Sequence, residues 1–255
     1  MSSSAELHVA YKVANAPVKL FPYPHFYIEN IFPADFYQSL QASLPDPSAM
    51  LPIADVRPVK GYKERFVFEL GGAQLATLPE SKRVFWDELR KWLIAGRFGQ
   101  VVLNKFGQYL EQRFGKDQVS LYDEALLVQD ITNYKLGPHT DTPRKVVTLL
   151  FYLPKDESQK HLGTSLYVPK DPNFRCPGGP HHKHDQFERI WTNPFLPNAL
   201  FGFLKTDTSF HGVEPIGDED CRRWLLLYDI YVHETQRAKA EPTGSAAASK
   251  TKFSF

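Results

Sequence analysis

His139-Thr140-Asp141, with His211 well downstream and an Arg222-Arg223 pair soon after it, are the residues of this chain best equipped for chemistry. Two imidazoles and one carboxylate form a ligand set that holds non-haem iron and leaves coordination positions open for oxygen chemistry. Side chains alternate between the faces of an extended segment, so a His-x-Asp spacing presents both groups on one side. The second histidine must then arrive on a strand distant in sequence. An arginine just beyond it carries the planar donor fork that can grip a dicarboxylate. Taken alone the tripeptide is weak evidence, because an Asp in a Pro-containing turn such as GPHTDTPRK also bonds local backbone amides.

Such a site needs a rigid frame, and the chain is long enough to build one. Its 255 residues, 42% hydrophobic and 14% aromatic, fit one large domain or two small ones. A formal net charge of +1 supplies no global basic field for nucleic acid or anionic lipid, although a local patch would still suffice for the former. The two cysteines, Cys176 and Cys221, match neither a disulfide framework nor a zinc pattern, and read as reduced thiols of a cytoplasmic protein. The N-terminus lacks an apolar core of signal-peptide length, and no apolar run is long enough to span a bilayer.

The texture changes along the chain. Residues 1–20 read as an arm that could pair as an edge strand, and 21–31 as a short strand. Phe36, Leu40 and Leu44, bracketed by Pro33 and Pro45, predict a helix. FVFEL (66–70) reads as a strand. Phe85, Leu89, Trp92 and Leu93 predict a second helix over 81–95, and Val102, Phe106, Leu110 and Phe114 a third over 99–114, ended by Gly115. From Ser120 onward the apolar runs become short, β-branched and aromatic. They predict strands near 123–134, 145–153, 163–168, 187–191, 199–204, 208–215 and 222–232. Helices followed by closely spaced strands suggest a sandwich or barrel supported by N-terminal helices. The tail 236–255 is small and polar and is expected to be disordered.

The stretches NYKLGPHTDTPRKVVTLLFYLP, LGTSLYVP and NALFGFLKTDTSFHGVEPIGDEDCRRWLLLYDIYV closely resemble the Fe(II)/2-oxoglutarate-dependent oxygenases, in particular their prolyl-hydroxylase-like branch. The resemblance covers about residues 125–232 and, more weakly, PYPHFYIENIFPADFYQSL. It implies a mainly β fold, a double-stranded β-helix or jelly-roll core over about 120–232, with helices over about 30–115 packed on one sheet in a single domain spanning 1–235. It implies His139, Asp141 and His211 as ligands of Fe(II). It places Tyr152 and Arg222 at the distal carboxylate of the cosubstrate 2-oxoglutarate, with O2 as the oxidant. The activity implied is hydroxylation of an unactivated C–H bond of a small-molecule, amino-acid-like or peptidyl substrate, with release of succinate and CO2. Relatives that halogenate replace the carboxylate ligand by a small residue, so Asp141 favours hydroxylation, while desaturation, epoxidation and ring formation use the same ligands.

Arg222 has a rival in Arg223, because the two point to opposite faces of one strand. Arg222 inward would bring Trp224, Leu226 and Tyr228 with it, whereas Arg223 inward would bury Asp229, an uncomfortable carboxylate. Burial and family spacing both favour Arg222. Thr148 and Leu150 share a face with Tyr152 and could line the cosubstrate pocket, or simply pack. Tyr134 could touch cosubstrate or fill the core, and Val213 could line the site or serve as a core valine. Gly163-Thr164 is where relatives open a strand with Gly and a polar residue, which a turn also explains. Arg144 and Lys145 read as a solvated charge pair. His181-His182-Lys183-His184 sit in a Pro/Gly-rich insertion that reads as a mobile loop over the site, in preference to a second metal site with Cys176. His8, His25, His161 and His233 read as structural or surface residues. The competing function is a cupin-like barrel that binds metal or a small ligand without redox turnover, disfavoured by an Arg–Tyr clamp. Nucleic-acid repair is disfavoured by the near-neutral charge, no membrane partner is expected, and a homodimer is left open.

Overall fold

The computed structural model of the protein describes residues 2–59, 61–94, 96–115, 119–217 and 220–233. The N-terminal half carries α1 (Ser2–Asn15), β1 (His25–Ile28), α2 (Ala34–Ala42), β2 (Leu51–Pro52), α3 (Ile53–Val56), β3 (Arg65–Glu69), α4 (Glu80–Leu93), α5 (Arg97–Lys105) and α6 (Gly107–Phe114). Strands follow: β4 (Leu121–Ile131), β5 (Leu136–His139), β6 (Lys145–Tyr152), β7 (Ser165–Pro169), β8 (Phe187–Thr192), β9 (Ala199–Leu204), β10 (His211–Val213) and β11 (Arg222–Val232). They form a seven-stranded sheet in the order β1-β9-β6-β11-β4-β3-β2 and a four-stranded sheet in the order β5-β10-β7-β8. All pairings are antiparallel. This is a jelly-roll core with helices on the larger sheet, the fold class expected.

Period-2 alternation sorts the large sheet's side chains between two environments. On β11, Leu226, Tyr228 and Ile230 join Trp86, Leu89, Phe98, Val102 and Leu103 of the helices in the main core, together with Val147, Leu149 and Phe151 of β6. The intervening Leu225 and Leu227 pack with Val67, Leu126 and Val128 on the other face. That inner face, with the short sheet, encloses the functional cavity.

Several elements differ from the sequence reading. Residues 2–15 are a helix, not an arm or edge strand: Ala5, Val9 and Val13 recur every fourth residue, all are buried, and α1 lies against α5. The helix expected over 99–114 is two, broken at Phe106, whose ring is buried against Phe26 and which precedes Gly107, a weak helix former. The strand expected over 123–134 ends at Ile131. Asn133, at φ 68°, turns the chain out of the large sheet so that β5 can join the short one. The tail 236–255 lies outside the described residues. Among the described residues no helix is long and apolar enough to cross a membrane.

Candidate functional site

β5 and β10 pair with His211 directly opposite His139, so the short sheet delivers two imidazoles side by side, with ring centroids 4.3 Å apart. Asp141 follows two residues after His139, just past the end of β5. The ligating atoms of His139, Asp141 and His211 all lie within 4.8 Å of one another, a group that could hold a metal ion. His139 Nδ1 donates to Gly137 O at 3.0 Å and His211 Nδ1 to Ser209 O at 2.9 Å. Each bond fixes the tautomer and leaves Nε2 as a free lone pair. Burial lowers both histidine pKa values, and His211 adds to the lowering at His139, so both rings are neutral and able to ligate.

Asp141 is held from several sides. Thr148 Oγ1 donates to its Oδ2 at 2.9 Å and Lys145 Nζ lies 3.3 Å from Oδ1. Burial opposes its charge, but the Lys145 ammonium, the histidines where they are protonated at low pH, and the Thr148 hydrogen bond outweigh burial and hold the carboxyl well below the usual range. Lys145 is itself mostly shielded from water, its side chain 12% exposed, and bridges to Asp229 at 3.1 Å. Burial disfavours its charge, yet Asp141 and Asp229 raise its pKa above the ordinary lysine value. Burial in turn pushes Asp229 up to about 6, with Lys145 acting against it. From α6, Arg113 donates to Pro143 O at 2.7 Å and Lys145 O at 2.8 Å, tying the ligand turn to the helical layer.

The cavity containing the triad is also lined by Arg65, Lys145, Thr148, Thr164 and Arg223, and by the apolar side chains of Leu150, Val213 and Leu225. The expectation for Arg222 is corrected here. Arg222 is exposed, whereas Arg223 is 1% exposed and lines the cavity. Burial and family spacing both favour Arg222, yet Asp229 is buried along with Arg223, and Lys145 compensates the carboxylate. The helices need Trp224, Leu226, Tyr228 and Ile230 on their side, which sends the odd-numbered residues inward. Arg223 Nε donates to Leu162 O and Nη1 to Asp130 Oδ2, both at 2.7 Å.

Thr148 lines the cavity, as do Leu150 and Val213. Tyr152 is buried beside it: its hydroxyl accepts the Thr164 amide at 3.2 Å and its ring centroid is 5.9 Å from the Arg223 guanidinium. Tyr134 is buried under Arg65, ring centroid 4.6 Å from the guanidinium, and its hydroxyl has no hydrogen-bond partner among the described residues. Thr164 Oγ1 at the cavity wall is likewise buried and, among the described residues, without a hydrogen-bond partner. Local sequence does not mark Lys145, Arg65, Asp130 and Thr164 as site residues: Lys145 beside Arg144 has the pattern of a solvated charge pair, Gly163-Thr164 that of a turn, and Arg65 and Asp130 carry no motif.

The histidine-rich insertion is docked. Thr140 Oγ1, on the opposite side of the ligand tripeptide, donates to Cys176 O at 2.8 Å, and His182 N donates to Pro138 O at 2.8 Å. The three histidines diverge. His181 lies 4.8 Å from the His139 ring and is hydrogen-bonded to Tyr62 Oη at 2.7 Å. His182 packs with Phe174, Phe187 and Phe210, and His184 against Tyr167. The insertion thus covers the triad through His181, not through a metal cluster of its own.

No protein-family model matches the chain, and no curated protein matches it by sequence. Solved structures do. A structure of prolyl 4-hydroxylases from Phytophthora capsici superposes with a TM-score of 0.51 at 15% identity, over 91% of this chain and 65% of that one. This chain therefore spans just under two thirds of that relative's length. A Pseudomonas putida prolyl-4-hydroxylase gives 0.48 at 14% identity over 89% of this chain and 98% of that one. An oxidoreductase of the 2OG-Fe(II) oxygenase family from Burkholderia pseudomallei gives 0.46 at 15% identity over 89% of each chain. Identity this low speaks to the fold alone, and the fold is the one seen in the prolyl 4-hydroxylase structure from Phytophthora capsici.

Proposed function

We propose that the protein is an Fe(II)- and 2-oxoglutarate-dependent dioxygenase that hydroxylates an unactivated C–H bond of a small-molecule or peptidyl substrate. The observation that carries this reading is one cavity holding both a two-His, one-Asp donor set and a buried arginine. The donor set suits Fe(II): two neutral imidazoles and one carboxylate with open positions left over. The unpartnered Thr164 Oγ1 and the Arg223 guanidinium suit a carboxylate, because a buried hydroxyl without a partner is costly and a guanidinium offers several donors.

His139, Asp141 and His211 would hold the metal, and Arg223 with Thr164 would hold the far carboxylate of 2-oxoglutarate. Iron and cosubstrate together supply O2 activation coupled to decarboxylation, with succinate and CO2 released. The chain's own residues do the rest. Gly137 O and Ser209 O hold the imidazoles, Thr148 and Lys145 hold Asp141, and Leu150, Val213 and Leu225 limit water around the reacting groups. Tyr152 acts one layer back, through the Thr164 amide.

Anaerobic titration of the apoprotein with Fe(II) and then 2-oxoglutarate tests the reading. A weak visible charge-transfer band that needs both additions, and is lost in Asp141→Ala, is the expected result. Iron binding with no band on adding 2-oxoglutarate would favour the non-redox, cupin-like barrel.

A further inference from the structure

Arg223 does not face the cavity alone. Arg65 on β3 lines it as well, and the register of three neighbouring strands sets Arg65 and Arg223 on either side of the same residue, Asp130 of β4. Arg65 Nε donates to Asp130 Oδ1 at 2.7 Å and Arg65 Nη2 to Oδ2 at 3.0 Å, while Arg223 Nη1 reaches Oδ2 at 2.7 Å. The Asp130 side chain is 0% exposed and that of Arg223 1%. Each guanidinium also lies over an aromatic ring, Arg65 over Tyr134 and Arg223 over Phe195, each 4.6 Å from the ring centroid.

One carboxylate neutralises one guanidinium, so the cluster is left with one positive charge. An Arg223–Asp130 pair without Arg65 would be neutral and closed: Asp130 would compete with any incoming carboxylate for the same fork. Arg65 takes up both oxygens of Asp130 and returns the missing charge. In a buried site that unit charge matters, because screening by water is weak there.

We propose that Arg65 is a positioning residue for cosubstrate binding, which by sharing Asp130 with Arg223 leaves the cluster the one positive charge that attracts the distal carboxylate of 2-oxoglutarate. This rests on the oxygenase reading above. It differs from a purely structural role for Arg65 in one respect: the loss caused by removing Arg65 is repaired by removing the charge of Asp130.

The test is anaerobic calorimetric titration of 2-oxoglutarate into the Fe(II)-loaded protein, comparing wild type, Arg65→Gln, Arg65→Lys and the double variant Arg65→Gln/Asp130→Asn. Arg65→Gln is expected to weaken binding by on the order of tenfold or more, from one unit charge a few ångströms away at intermediate dielectric. Arg65→Lys keeps the charge and stays within about threefold of wild type, since a charge effect does not need the planar fork. The double variant again carries one net positive charge and recovers most of the lost affinity. Wild-type affinity in Arg65→Gln, or a double variant no tighter than Arg65→Gln, overturns the proposal. Should Arg65→Gln not fold, Arg65→Lys decides, because a loss as large as that of Arg223→Ala refutes the charge role. A wild-type protein that binds iron but no 2-oxoglutarate removes the oxygenase reading and this inference together. A wild type that binds it, with variants behaving otherwise than stated, removes this inference alone.

Discussion

The neighbouring arginines of β11 show how much one register position decides. Arg222 faces water and Arg223 the cavity. Truncating Arg223 to Ala should therefore weaken 2-oxoglutarate binding by about a hundredfold or more, the usual consequence of losing one partner of a buried charge pair. The same change at Arg222 should leave affinity within about twofold, as for most exposed charges. Titration of both variants separates them, and an equal loss at both would refute the assignment. The histidines make a second expectation at this scale. Both ligand imidazoles have pKa values lowered by burial from 6.5, so between that value and their folded pKa the unfolded chain binds more protons than the folded one. Stability of the apoprotein should fall as pH drops below 6.5, by up to ~1.4 kcal/mol per pH unit for each group. Thermal unfolding of the metal-free protein from pH 7.5 downward would register it, and His139→Gln should flatten the slope. The His139–Asp141 half of the candidate triad was legible in the sequence because His-x-Asp spacing on an extended segment is local, whereas His211 joined it through the family resemblance. The arginine was not, because its facing depends on which neighbours the helices demand. The apolar stripe Trp224-Leu226-Tyr228-Ile230 was the available signal.

Among the elements, the segment between β7 and β8 packs directly on the site. Gly178, at φ 132°, stands so close to the ligand turn that a Cβ there would meet Asp141 O at 2.3 Å. Neither the backbone angle nor the space admits a side chain. Gly178→Ala should push this segment off the turn, weaken Fe(II) binding and leave the large sheet and helices folded. Metal titration beside far-ultraviolet circular dichroism would show the split, and unaltered iron affinity would count against the segment's role. On the far side, Trp86 of α4 is fully buried and donates Nε1–H to Ser43 O at 2.7 Å. Trp86→Ala should cost about 3–5 kcal/mol of stability. It should leave cosubstrate affinity unchanged, since the helices support the sheet's other face. Helix positions were readable wherever large apolar residues recur at helical spacing. The sequence does not mark α1 because its buried stripe is only Ala5, Val9 and Val13, small residues in a polar segment.

At the scale of the molecule, the cavity draws on both sheets: His139 and His211 from the short one, Thr148 and Arg223 from the large one. A ligand held at both ends ties the sheets together and, binding only the folded state, stabilises it by about 2.7 kcal/mol at a hundredfold excess over Kd. Thermal unfolding should rise with Fe(II) and again with 2-oxoglutarate. Arg223→Ala should keep the first increment and lose the second. By itself the sequence determined what depends on near neighbours: the order of helices then strands, the period-2 runs of the β core, the His-x-Asp face and the candidate second histidine. The tertiary structure alone decided what depends on residues brought together across strands. It turned Arg223 inward, made Lys145 the partner of two carboxylates, laid His181 beside His139, and set Arg65, Asp130 and Arg223 in one row across β3, β4 and β11. The physical reason is that a charge is placed by its partner as much as by its own sequence neighbours. Burying Asp229 or Arg223 alone would be prohibitive, and burying each against an opposite charge is not.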